Sequence, residues 1–306
     1  MLSKGTRSAL LETEYTAAAR WAEECLNSLF VDGKELRRCL NGESVSATSS
    51  VAARTVSRWL YEDVHLKRTG SSVAQGAEVA SPVVASTALR NARRTSLGWS
   101  LRPSAEGATV ATSALSGVEL LIAAEQRSEW IVGPDALSVP RVRKGFLSGW
   151  DSITGLDGNP LSPDLRMYIP WVNSSHSAEN LIDKLDQAVS RWMIKFANFA
   201  TQRPDKTVLY CSTGDACKIF EALQQAAPST QSIELNGPGF ALIGPYGIPY
   251  GLNRAGVTSS FGVTVARQAG EYLVESYPTW RHPELCAILQ ESATAIGIDN
   301  WNEALF

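Results

Sequence analysis

Residues 164–210 carry the clearest alternation of apolar and polar positions in the chain. Leu165, Met167 and Ile169 alternate with Arg166, Tyr168 and Pro170, which predicts a strand with Arg166 and Tyr168 on one face. A polar turn, NSSHS, follows. Leu181, Ile182, Leu185, Val189 and Trp192 then recur at helical spacing, with Ser177 as the expected cap. The pattern returns to strand over residues 193–199, passes a basic turn at Arg203, and resumes as strand over residues 207–211. Lys195 lies between apolar Ile194 and Phe196. A lysine in so apolar a strand either snorkels its stem to water or points into a site.

The flanks read differently. Residues 8–66 are helical in pattern, with Leu10, Leu11, Ala18, Trp21, Leu26 and Leu29 along one set of stripes and Val56, Trp59 and Leu60 along another. The polar segment 41–50 (NGESVSATSS) breaks them as a loop. No catalytic constellation stands out here, and a helical cap or docking surface is the plain role. Residues 67–82 read as a Gly/Ser/Ala-rich linker. Residues 108–114, 117–124 and 128–132 suggest an antiparallel meander, and residues 151–163 a loop. Helices are expected over 215–227, 263–277 and 283–296, separated by a Gly/Pro-rich loop at 236–262. The fold class expected is α+β: a helical N-terminal region and linker (1–80), then a mixed or antiparallel sheet core with packed helices (81–306).

Composition narrows the function classes. Apolar residues at 44% and charged residues at 19% describe an ordinary globular chain, and a formal charge of −3 gives no basic field for nucleic acid. No apolar run is long enough for a membrane span, and the first residues lack a signal-peptide core, so a cytoplasmic location is expected. Five cysteines without a CxxC pair and three histidines argue for free thiols and against a closed zinc site. The GxSxG elbow, HExxH, the Walker loop and the dinucleotide fingerprint are all absent. Arg90, Arg93, Arg94 and Arg102 cluster around Gly98-Trp99, and Arg141, Arg143 and Lys144 precede Gly145. Such clusters suit an oxyanion, although a salt-bridged surface is the commoner outcome for the first. Of the histidines, His176 sits in the polar turn beside the central unit.

The order of short motifs resembles the HopA-type effector family. The landmarks are Arg166-Met167-Tyr168, Lys195, Arg203-Pro204-Asp205, Val208-Leu209-Tyr210, Pro238-Gly239, Ser260-Phe261-Gly262 and Arg267, with Gly98-Trp99 and Gly145-Phe146 upstream. The resemblance runs from about Leu89 to Tyr272 and leaves the first 80 residues unmatched. Leu147, Pro204 and a GPYG segment in place of an acidic pair depart from the family pattern and bear on substrate preference rather than fold. Members occur as plant-pathogen effectors and as stand-alone proteins in clusters for thioviridamide-like thioamitides and class V lanthipeptides. There a separate kinase phosphorylates Ser or Thr of a precursor peptide, and the HopA-like protein is assigned the lyase step that leaves dehydroalanine or dehydrobutyrine.

The resemblance therefore implies a phosphoserine/phosphothreonine lyase acting on a phosphorylated precursor peptide, partnered by a kinase, with no cofactor or metal. Elimination requires a base for the Cα–H, stabilisation of an enolate-like amide oxygen and neutralisation of the departing phosphate. On that reading Lys195 is the base, in the neutral form that desolvation and neighbouring arginines favour. Arg203 and Arg166 clamp phosphate, Tyr168 or His176 protonates the leaving group, and Asp205 orients Arg203. Arg143, Lys144, Arg254 and Arg267 are further phosphate-binding candidates. The alternative is an inert phosphopeptide- or protein-binding module, or a scaffold for the kinase.

Overall fold

The computed structural model describes residues 4–67, 80–104, 107–114, 117–198, 203–228, 238–252 and 260–294. Helix α1 (Lys4–Asn27) leads into a three-stranded antiparallel sheet, β1 (Leu29–Asp32), β2 (Glu35–Arg38) and β3 (Ser44–Ser46). Leu29 is thus strand where helix was expected, and within the polar loop expected at 41–50 a short strand forms over Ser44–Ser46. Gly33 turns the β1–β2 hairpin at φ +61°, a conformation that glycine adopts without a Cβ penalty. Helix α2 (Ala52–Leu60) buries Ala52, Val56, Trp59 and Leu60, then widens into a π-helical turn over Tyr61–His65. The Leu66 amide closes that turn on the Tyr61 carbonyl at 3.0 Å. The expected linker lies largely outside the described residues.

Two short helices, α3 (Pro82–Ala85) and α4 (Thr87–Arg90), precede two small sheets. The first is formed by β4 (Arg93–Leu97), β8 (Ile131–Gly133) and β9 (Ala136–Pro140); the second is the meander β5 (Trp99–Pro103), β6 (Thr109–Ser113) and β7 (Glu119–Ile122). The expected third meander strand is instead a helical turn, α5 (Arg127–Trp130), running into β8.

The main sheet has seven strands: β10 (Val142–Leu147), β11 (Trp150–Thr154), β12 (Leu165–Tyr168), β13 (Met193–Ala197), β14 (Thr207–Cys211), β15 (Leu242–Ile243) and β16 (Pro249–Leu252). Their order is β10-β11-β13-β14-β12-β16-β15, antiparallel throughout. The predicted strand–helix–strand unit is therefore split, because β14 inserts between β12 and β13. The start of the expected loop at 151–163 is strand β11, and part of the Gly/Pro-rich segment supplies β15 and β16.

Helix α6 (Ser175–Ala188) opens on a capping box in which Ser174, not Ser177, is the cap. Ser177 sits at the third helical position and bonds back to the Ser174 amide at 3.1 Å. Helix α6 and α7 (Ala216–Ala226) pack against the sheet face bearing Leu165, Met167, Ile194 and Leu209. Arg141 locks α6 to the sheet through a bidentate pair with Asp186 (2.7 and 2.8 Å) and a bond to the Thr154 carbonyl (2.8 Å).

On the opposite face, α1, α2 and α8 (Phe261–Glu275) cover the β12–β16 half, with α9 (His282–Thr294) outside them. Trp21 meets Phe240 and Phe261 edge-on, each at 6.1 Å between ring centroids. Helices α2 and α8 run antiparallel in close contact: Gly262 faces the His65 ring, and two turns on, Gly270 faces Ser57. A Cβ at Gly270 would stand 2.8 Å from the Ser57 backbone nitrogen. One hydrophobic cluster runs from Trp21 and Val56 through Leu165 and Leu209 to Leu223.

Gly270→Ala is predicted to lower the melting temperature. An alanine in mid-helix gains about 1 kcal/mol in propensity, but overpacking against backbone costs about 1–3 kcal/mol. A neutral or stabilising result would show that α2 and α8 are not in contact as described.

Candidate functional site

Directly opposed residues of an antiparallel pair share a face. Tyr168 opposes Val208, Arg166 opposes Tyr210, Lys195 opposes Val208 and Ser152, and Trp150 opposes Ala197. The register therefore carries Arg166, Tyr168, Lys195, Tyr210 and Trp150 to one face, opposite α6 and α7. Two rings tie the cations together there. Arg166 Cζ and Lys195 Nζ each lie 5.5 Å from the Tyr210 centroid. Lys195 Nζ also lies 4.4 Å from the Trp150 ring, with Arg203 Cζ at 5.9 Å from the same ring. The electron-rich faces offset the mutual repulsion of three cations.

Arg203 reaches the face from the turn between β13 and β14. It donates to both Asp205 oxygens, at 2.8 and 2.7 Å, and interacts with the Tyr61 hydroxyl. Burial works against the charge on each member of this pair, but the fork-to-carboxylate bonds outweigh it. Asp205 is accordingly held below its ordinary range and Arg203 raised above its own. With Arg166, Lys195 and Arg203 set against Asp205, the cluster carries two net positive charges.

The helical layer closes one side. Tyr61 and His65 lie side by side in the π-helical turn with their rings stacked at 5.1 Å, and His65 stacks on Phe240 at 5.8 Å and meets Tyr168 edge-on at 6.1 Å. π-helical turns recur at functional sites because they bring side chains of neighbouring turns level. Burial depresses His65 to about 4, with Arg166 and Arg203 adding to the effect and Asp205 opposing it, so the imidazole is neutral. Burial raises the Tyr168 and Tyr61 phenols. Tyr168 Oη and His65 Nδ1 are buried without a hydrogen-bond partner among the described residues.

Glycines make this packing possible. A Cβ at Gly239 would strike the Val64 carbonyl oxygen at 2.0 Å, and one at Gly262 would meet His65 ring atoms at 2.4 Å. Gly239 also donates its amide to the His65 carbonyl at 3.1 Å.

Of the residues expected from sequence, Arg166, Tyr168, Lys195, Arg203 and Asp205 come together, and others do not. His176 is exposed in the first turn of α6, on the far layer, and His65 is the histidine at the cluster. The expectation fails because the polar turn before α6 opens away from the Lys195 face. Arg143 shares that face, opposite Ser152, but stands two strands from Lys195, about 10 Å across the sheet, and is exposed. Lys144 is exposed on the edge strand β10. Arg267 is exposed on α8, where it lines a separate groove with Tyr61. Arg254 lies outside the described residues. In the upstream arginine group, Arg93 pairs with Glu129 (2.6 Å) and Arg102 with Glu119 (3.0 Å), a salt-bridged surface.

The reading from sequence missed Tyr61, His65 and Trp150. Tyr61 and His65 stand four apart in YEDVH, a one-face spacing that could have singled them out. Among the described residues no three His, Cys, Asp or Glu side chains are grouped to hold a metal, and no helix is long and apolar enough to cross a membrane. None of the five cysteines forms a disulfide.

Two solved structures show weak similarity to this chain. One is an effector protein from Pseudomonas syringae pv. tomato strain DC3000, at 19% identity and a TM-score of 0.37, matched over 51% of this chain and 62% of that one. The other is an effector protein from Pseudomonas syringae pv. syringae strain 61, at 13% identity and a TM-score of 0.47, matched over 91% of this chain and 92% of that one. The chain thus spans less than two thirds of the first structure's length. No protein-family model and no curated protein matches it.

The buried neutral histidine predicts a pH dependence of stability. An unfolded histidine titrates near 6.5, so between about 4 and that value the unfolded chain binds the extra proton, and stability falls as pH falls through the window. By pH 5 the loss attributable to His65 is about 2 kcal/mol. Urea unfolding at pH 7.5 and pH 5 should show a drop in the wild type that His65→Leu reduces by that amount. An unchanged pH dependence in the variant would place the imidazole in contact with water.

Proposed function

We propose that this chain is a phosphoserine/phosphothreonine lyase, acting on a peptide phosphorylated by a separate kinase and leaving dehydroalanine or dehydrobutyrine. The observation that carries the reading is the chain of contacts Arg166–Tyr210–Lys195–Trp150–Arg203, with Asp205 as its carboxylate. The two guanidiniums of that chain, Arg166 and Arg203, suit the two negative charges of a phosphate dianion. Arg166 and Asp205 are buried and Lys195 and Arg203 half-buried, so the charges act through a medium less screening than water.

The roles follow from position. Arg203, fixed by Asp205, and Arg166 hold the phosphate and neutralise it as the Cβ–O bond breaks. Lys195, between them across the two rings, takes the Cα proton once its ammonium has released one to solvent, and the Cα–H electron pair becomes the new double bond. Tyr168 Oη, a buried hydroxyl without a protein partner among the described residues, is the donor for the leaving oxygen. His65 and Tyr61 form the wall behind it. His176 has no part in this scheme.

One observation favours a second reading. Lys195 Nζ lies over two aromatic faces, an arrangement that suits an ammonium acting as a fixed charge. A phosphopeptide-binding module would use the same residues without turnover.

Mass spectrometry separates the two. Wild type incubated with a phosphothreonine precursor peptide should remove about 98 Da per site, one phosphoric acid. Lys195→Ala should abolish turnover while keeping phosphopeptide affinity, and Arg203→Ala should slow the reaction on the order of 100-fold or more. Intact phosphopeptide with wild type, even with a kinase present, would leave the binding module.

A further inference from the structure

The groove between α2 and α8 has no part in the elimination chemistry. It encloses about 490 Å³, and Ala53, Ser57, Ala266 and Val263 form its floor. The two helices close on each other where Gly270 faces Ser57. Val263 is 39% exposed, an apolar surface open to solvent. The rim is basic. Arg54, Arg58 and Arg267 are all exposed, against Glu271 at the end remote from the cluster. Arg58 lies 3.7 Å from Glu43, and among the described residues Arg54 and Arg267 have no ion-pair partner.

The groove leads to the cluster. Ala53, Arg54, Ser57, Arg58 and Tyr61 form one stripe along α2, and its last member, Tyr61, both lines the groove and interacts with Arg203. From Ala53 to Tyr61 the stripe is about 12 Å long at the helical rise. That length accommodates about four residues of extended peptide.

We infer that the α2–α8 groove binds a short acidic segment of the substrate peptide, containing at least one apolar side chain, next to the phosphorylated residue held at the sheet face. This rests on the elimination reading for the identity of the peptide. Charge complementarity selects the occupant: three arginines around an apolar floor suit carboxylates flanking an aliphatic or aromatic residue, and disfavour a basic segment. Glu271 at the far end sets the limit of the acidic segment.

Fluorescence anisotropy with a labelled, unphosphorylated peptide of alternating Glu and Leu tests it, beside a counterpart with Lys for Glu. The acidic peptide should bind and the basic one should not. Arg54→Glu with Arg267→Glu should weaken binding about tenfold or more, and added salt should weaken it for wild type. Both positions are exposed, and an unchanged melting temperature confirms that the variant folds. Lys195→Ala should leave this affinity unchanged, since the probe carries no phosphate. Equal affinity for both peptides, or for wild type and the double variant, overturns the groove assignment. So does loss of binding to phosphatidylglycerol vesicles in the double variant without any peptide binding by wild type. Charge-dependent binding together with an intact phosphopeptide upholds the groove as an acidic-peptide site and overturns only the elimination reading.

Discussion

The packing around one neutral imidazole joins the helical layer to the sheet. His65 lies between Tyr61 and Phe240 and edge-on to Tyr168, and its ring leaves no room for a Cβ at Gly262. The same turn passes so close to the 238–240 segment that a Cβ at Gly239 would strike the Val64 carbonyl. A charged histidine here would have to be desolvated beside Arg166 and Arg203, and burial settles it as neutral. Dense packing of this kind fixes neighbours as well as itself. Tyr61 is placed against Arg203, and Tyr168 is sealed on the sheet.

The cations depend on that seal in turn. Three positive groups on one sheet face repel one another, and the structure offsets this with two aromatic faces and one buried carboxylate rather than with an equal number of acids. Acids elsewhere have their own partners: Asp63 and Glu62 hold Arg38, and Asp186 holds Arg141. What remains at the face is the residual positive charge on which the proposed phosphate site rests. Fixed dipoles and charges of this sort act without reorganising when charge moves to a leaving group. Tyr61 extends the site beyond the sheet, because it forms one end of the basic groove between α2 and α8.

Period-two alternation made the heart of the site legible in the sequence. It placed Arg166 and Tyr168 on one face and marked Lys195 as anomalous among apolar neighbours, and the strands form as expected over those residues. The α+β class followed from the same patterns. Strand order did not, because nothing local to 207–211 says that β14 inserts between β12 and β13. The N-terminal contribution was hidden for a similar reason. Tyr61 and His65 read as ordinary residues at the end of an amphipathic helix until the tertiary fold carries them to a sheet more than a hundred residues away. His176 misled because closeness in sequence to a strand does not fix which face a following helix covers. The glycines at 239 and 262 were visible as landmarks of a resemblance, and the structure supplies their physical reason in the close approach of backbone to the His65 turn.

The central claim is that Arg166, Lys195 and Arg203 form one phosphate site. A crystal structure with a phosphonate analogue of a phosphothreonine peptide, in which a methylene replaces the oxygen on Cβ so that there is no Cβ–O bond to break, examines that directly. The account predicts electron density for the phosphonate between the three cations, with Tyr61 beside it and the peptide chain leaving toward the α2–α8 groove. Phosphonate density at Arg143 and Lys144 on the edge strand, or along the groove with the sheet face unoccupied, would contradict it.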